Sequence, residues 1–375
     1  MHIENHTYQN SCIKNDYKPC NINPKNNSGG KPMSKRSSMS RRHFVATSLA
    51  ATAGLMAGVG TLSCSPQKKS DIRVGLYTIT LLGIWYKGEA MPLDQIVRKA
   101  REWGYTGIEI DGKRPHGNPL DWPTKRCKEF RSMANGEGIE IYGVAANNDF
   151  SSPIPEHREC QIAYVKDLIR MTSDLGAKTL RMFLAWPGVT KHPQVARYDI
   201  ARDIWKYTHE KFTPEEIWSW CRDGMAECTK YAADAGVILA LQNHKPVIDD
   251  YPDVLKMVKE INSPWLKVSL DAPIMNEKTE DYIRNAALAV GDLQVLSHFG
   301  GEYERGPDGK VIGEEFYRYF IKAMHEIGYN GYMSYELCHP LPVVNGETVG
   351  IEYAEKNAML AAEFMNGLIK EVVSA

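Results

Sequence analysis

The chain has 375 residues, 43% of them hydrophobic and 24% charged, which is enough for one large core or two ordinary ones. Its net charge is −1, with Lys/Arg and Asp/Glu interspersed and no basic block in the part expected to fold, so nucleic acid finds no electrostatic footprint. The expected partner is a small molecule.

Residues 1–32 are rich in Asn, Lys, Ser and Gly with almost nothing apolar, and read as a disordered extension. Met33 and Met39 are both candidate starts. Residues 33–64 contain MSRRHFVATSLAATAGLMAGVGTLSC, a basic flank followed by an Ala/Gly-rich apolar stretch from Phe44 to Leu62. That pattern predicts an export signal. The pair Arg41-Arg42 in SRRHF resembles a twin-arginine signal, and TLSC before SPQKKS resembles a lipoprotein cleavage box with Cys64 as the lipidated residue. The alternative is an anchor, since about 20 apolar residues span a bilayer, but so much Ala and Gly makes a weak span. The expectation is an exported protein, periplasmic or lipid-anchored to a bacterial membrane, touching lipid only through Cys64. Apart from Cys12, Cys20 and Cys64, five cysteines remain, an odd number without a paired motif. This argues against a disulfide framework or a Cys-rich zinc site, and predicts buried thiols.

After a linker at 65–71, a single domain is expected over 72–372. Strand-like runs occur at 72–78, 106–110, 139–145, 178–184, 237–242, 266–271, 293–298 and 332–337. Between them lie helical patterns such as 93–103, 159–175, 214–235, 253–261 and 314–327, and a last one at 351–372. Eight strand–helix units imply parallel strands joined by right-handed crossovers, the pattern of a (β/α)8 TIM barrel. A doubly wound sheet would more usually show a glycine-rich turn after the first strand, and LYTITLLGIW has none. The longest loop, 185–212, carries Trp186, Trp205 and Tyr207, which predicts a lid or a substrate wall.

Function in such a barrel gathers at the C-terminal strand ends. Strands five to eight end on Gln242, Asp271, His298 and Glu336, spaced 29, 27 and 38 residues apart, one strand–helix unit each. Singly, His298 reads as a core histidine, Asp271 as a helix cap and Glu336 as a rim ion-pair partner. Together they predict one divalent metal ion (Mn, Mg, Co or Zn) with positions open to substrate.

These strand ends resemble those of the xylose-isomerase-like barrels, the sugar isomerases and epimerases that include the tagatose 3-epimerase type. The resemblance covers about residues 72–370. It implies metal ligands Glu, Asp, His and Glu, of which the last three fall on Asp271 in SLDAP, His298 in LSHFGG and Glu336 in SYELC. It also makes Glu109 and Asp111 in GIEID, and Arg181 in GAKTLRMF, family-like; with Trp186 and Lys245 these are the expected substrate contacts. Family members associate as dimers or tetramers, and homo-oligomer formation is left open here. Position 242 departs: the epimerases carry Glu there and use two glutamates as acid and base. Gln242 can offer a carbonyl oxygen to a metal but cannot abstract a proton.

One base suffices to remove a proton α to a ketone. Glu336 is expected to double as ligand and base, with His244 as the other catalytic candidate near neutral pH; Lys245, Glu302, His116 and His339 are weaker ones. One base plus a metal suits β-elimination, and some exported barrels of this superfamily act on 3-keto-glycosides, so a lyase cleaving such glycosides is favoured. The alternatives are a keto-sugar epimerase or isomerase and an inactive sugar-binding lipoprotein. A phosphodiesterase of the endonuclease-IV type would need more inward histidines than these strand ends supply.

Overall fold

The structure is a computed structural model that describes residues 70–191 and 195–374. The extension, the signal with Cys64 and most of the linker lie outside the described residues. Eight parallel strands close into a barrel: Asp71–Tyr77, Gly107–Asp111, Glu140–Ala145, Thr179–Met182, Ile238–Gln242, Leu266–Ser269, Gln294–Gly300 and Asn330–Glu336. The first pairs with both the second and the eighth, which completes the closure. Helices follow the strands, and their boundaries have local causes. In Pro214–Ala235, Thr213 and Glu216 form a reciprocal capping box, and Gly236 ends the helix at φ 68°. Among the described residues no helix is long and apolar enough to cross a membrane.

Alternation along each strand sorts the side chains. In GIEID, Ile108 and Ile110 join the buried apolar core, while Glu109 and Asp111 bond to polar partners on other strands. A small apolar cluster of Tyr142, Ala240, Leu296 and Tyr332 forms a separate buried layer. Tyr142 stacks on Tyr332 with ring centroids 3.9 Å apart, and its hydroxyl lies 2.5 Å from Ser334 Oγ. Toward the N-terminal strand ends, Arg73 bonds Glu140 at 2.8 Å and its guanidinium lies over the Tyr332 ring. Ala240 and Gln242 are two apart on one strand, so the polar mouth sits directly above this apolar floor.

The segment 185–212 is not a plain loop. It holds a two-stranded hairpin (Thr190–Lys191 with Ala196–Arg197) and the helix Asp199–His209. Trp205 belongs to that helix, where its indole N–H donates to Ser151 Oγ (2.9 Å) and its ring stacks on His209. Tyr207 is 76% exposed and forms no wall. Two further helices flank the barrel; Thr124–Gly136 buries only Cys127 and Ala134, which explains its faint apolar signature. The five described cysteines are free; Cys127, Cys221 and Cys228 are buried as expected, but Cys160 is exposed and Cys338 half-buried.

Gly75 lies against the floor, where an added Cβ would land on the edge of the Tyr142 ring, itself pinned by Tyr332 and Ser334. Gly75→Ala is therefore expected to cost about 1–3 kcal/mol through overpacking. A urea unfolding midpoint unchanged from the parent would show that Tyr142 can move.

Candidate active site

The barrel mouth is built from strand ends above the floor. Glu109 on the second strand and Arg181 on the fourth are 0% and 3% exposed, charges that burial forbids unless they are paired. Arg181 Nε donates to Glu109 Oε1 at 3.0 Å, and His298 Nε2 lies 2.6 Å from Glu109 Oε2. Burial alone would raise the Glu109 carboxyl pKa, but His298 and Arg181 outweigh it and hold it down at about 2. Both Glu109 oxygens are thus occupied by protein.

Arg181 also donates through Nη1 to Gln242 Oε1 at 2.8 Å. The other end of that amide, Nε2, donates to Asp271 Oδ2. A guanidinium can only donate and a carboxylate can only accept, so the amide orientation is fixed by its neighbours. This explains the residue type at 242: an amide joins a cation to an anion, which a carboxylate facing Asp271 could not do while ionised. Gln242 meets a partner at each end, and its carbonyl, expected as a metal ligand, accepts from Arg181 with one of its two lone pairs.

Asp271 is held from several sides. Its Oδ1 accepts from Ser269 Oγ (3.2 Å) and from the His298 backbone N–H (2.9 Å), and its own N–H donates to Asn243 Oδ1 at 2.9 Å. Its Oδ2 also lies 3.0 Å from His298 Nδ1, yet that nitrogen is buried and makes no hydrogen bond. Imidazole nitrogen and carboxylate oxygen thus approach side by side rather than in line. With Nε2–H given to Glu109, the arrangement matches that of a metal-ligating histidine whose second nitrogen is held by a carboxylate. Burial lowers the His298 pKa, but Asp271 and Glu109 outweigh it and push it up to about 10.

Glu336 closes the eighth strand. Burial raises its carboxyl pKa, partly offset by His298 and Arg181. Among the described residues, no three His, Cys, Asp or Glu side chains are gathered as a metal site would need; Asp271 and His298 meet, with Asp271 Oδ2 3.0 Å from His298 Nδ1.

The remaining expected residues disperse. Asp111 accepts from the Tyr77 hydroxyl at Oδ2, and from the Lys113 N–H (2.8 Å) and Asn147 (3.3 Å) at Oδ1, so it ties loops together. His244 Nδ1 donates to the Lys245 carbonyl at 2.5 Å, which leaves Nε2 with the lone pair. Burial pushes its pKa down to about 4, so it is a neutral ring rather than one poised near pH 7. It packs edge-on against Phe183 and Trp186. Lys245 is exposed and pairs with Asp249 at 2.8 Å. His116 is buried against the Met91 carbonyl, and His339 and Glu302 face each other 4.0 Å apart on loops. Tyr77 and Asn243 were not singled out from the sequence. Both are polar residues at a strand end, the signal that identified their neighbours; the Arg181 guanidinium lies 4.6 Å from the Tyr77 ring centre.

Glu109→Ala should leave the Arg181 guanidinium buried without its carboxylate, an expected loss of about 3–5 kcal/mol. Chemical denaturation measures it, and a loss under about 1 kcal/mol would mean that water already solvates Arg181 as at a surface.

Residues 97–365 match the family described as xylose isomerase-like TIM barrel. Fructoselysine 3-epimerase from Shigella flexneri is 25% identical over 269 residues, 66% of this chain and 86% of its own length. Among solved structures, the 3-keto-D-glucoside 4-epimerase of E. coli superposes with a TM-score of 0.56 at 16% identity, covering 80% of this chain and all of its own. The IolI protein with a bound zinc atom gives 0.55 at 19% identity, over 80% and 98% of the two chains. At these identities the two structures speak for the fold alone.

Proposed function

The chain belongs to the xylose isomerase-like TIM barrel family, and from that premise we propose that it removes a proton from the carbon α to the ketone of a keto-sugar, assisted by a divalent metal ion. The observation that carries this reading is His298 Nδ1, buried without a hydrogen bond beside Asp271 Oδ2 while Nε2 is held by Glu109. Asp271, His298 and Glu336 would hold the ion, with the second lone pair of the Gln242 carbonyl as a further donor. The ion supplies Lewis-acid polarisation of the ketone.

The chain's own residues do the rest. Glu336 is the base: burial favours its protonated form, so it takes a proton more readily than a solvated carboxylate would. Gln242 cannot serve as a second base. Its amide instead holds Asp271 and Arg181 in register, and Arg181 places a fixed positive charge beside the negative charge that develops on the sugar. The apolar floor below strengthens these interactions by excluding water.

With a single base, the favoured outcome is β-elimination from a 3-keto-glycoside. The C2 proton passes to Glu336, the C1–O bond breaks, the aglycone oxygen leaves and takes up a proton, and an unsaturated keto-sugar remains. A second reading, epimerisation, is favoured by the sequence relative, which is a fructoselysine 3-epimerase. Export through residues 33–64 is part of the proposal and rests on the sequence of that segment.

The test is proton NMR of the full chain in D2O with Zn or Mg and a 3-keto-glucoside. Aglycone release with an unsaturated or hydrated keto-sugar, lost in Asp271→Ala, is the expected result. Deuterium entering without bond cleavage would replace elimination by epimerisation, and no reaction with either metal would overturn both. Gln242→Glu is expected to retain the metal and to gain exchange at the sugar carbon; metal affinity and turnover left intact by Gln242→Ala would show that the amide plays no part.

A further inference from the structure

Beside the mouth lies a cavity of about 320 Å³ whose walls are Trp186, Tyr198 and His244 and whose rim carries Arg202, Lys206 and Lys245. That volume falls at the small end of ligand-sized sites. His244 joins it to the active site: its ring contacts Phe183 at 5.0 Å, and Phe183 in turn lies 5.2 Å from the Arg181 guanidinium. Tyr198 reaches the same region from the other side, donating its hydroxyl to the Cys338 carbonyl at 2.5 Å, two residues past Glu336.

Two features define what the cavity would take. Its rings pack edge to face, with Trp186 69° from His244 and 85° from Tyr198, and together form an aromatic wall on which a flat group can stack. No Asp or Glu lines it, although three cations do. Lys245 pairs with Asp249, but Arg202 lies over the Tyr198 ring, and neither it nor Lys206 has a carboxylate partner among the described residues. Two unmatched cations, Arg202 and Lys206, beside low-dielectric aromatic walls focus a positive potential at the entrance.

We propose that this cavity is a specificity subsite for a flat, carboxylate-bearing aglycone, which makes acidic glycosides the preferred substrates of the neighbouring centre. The subsite rests on the keto-sugar reading for the word substrate, but its binding chemistry does not. The aromatic wall takes the ring of the aglycone, and Arg202 and Lys206 take its carboxylate while the sugar faces Arg181.

The experiment compares 4-carboxyphenyl and 4-carbamoylphenyl glucosides, both anomers of each, titrated calorimetrically into the full chain. These unoxidised ligands need no turnover. The carboxylate is expected to bind at least ~10-fold more tightly than its neutral isostere at low salt, about what a charge-assisted hydrogen bond provides. That preference should shrink as salt rises and fall to about twofold or less in the double variant Arg202→Gln/Lys206→Gln, whose exposed positions on one helix should not affect folding. Equal affinities, a preference that survives the double variant, or no binding of either ligand would overturn the subsite. The 3-keto forms of the same compounds separate it from the proposed reaction. Carboxylate preference without turnover keeps the subsite and sinks the reaction; turnover without preference does the reverse.

Discussion

The mouth of this barrel depends on one carboxylate. Glu109 has no exposed surface, and its two oxygens meet two different groups, the Arg181 guanidinium and the His298 ring nitrogen. A guanidinium with 3% exposure is stable there only because the carboxylate is ionised, and the guanidinium in turn favours the ionised carboxylate. Fixing His298 by Nε2 turns Nδ1 toward Asp271; fixing Arg181 by Nε turns Nη1 toward Gln242. The second strand thus orients groups on the fourth, fifth, sixth and seventh.

Along that chain of contacts the amide at 242 has a physical reason. Between a fixed donor and a fixed acceptor only a group with both functions satisfies each neighbour without a proton shared between carboxylates. The cost is chemical: the position loses its ability to act as a base. The site keeps an ionisable carboxylate at the eighth strand end, Glu336, so a neutral bridge at 242 stands with a burial-perturbed acid at 336.

The accessory cavity extends the same logic outward. Inside, charges are paired and buried; at the cavity rim they are exposed and, for Arg202 and Lys206, unmatched. Buried pairs set geometry, whereas exposed cations set which ligands approach. The helix Asp199–His209 supplies Arg202 and Lys206, so a segment outside the eightfold repeat decides what stands beside the common barrel mouth.

The sequence by itself determined the barrel and where to look within it. Eight apolar runs at regular spacing, each followed by an amphipathic stretch, have few other ways to bury both faces, and the polar residues ending strands five to eight stood out because charge at the end of an apolar run needs a reason. The helix Asp199–His209 escaped because it stands outside the strand–helix alternation and its tryptophan looked like a loop aromatic. What only the tertiary structure decided is which groups meet. Glu109 and His298 are 189 residues apart and Arg181 and Gln242 are 61 apart, and no local pattern encodes such a contact. Barrel closure sets it, because parallel register fixes which inward side chains share a layer. The same closure showed Asp111 to be a structural tie, His244 to be a neutral ring, and the amide of Gln242 to point its oxygen at an arginine.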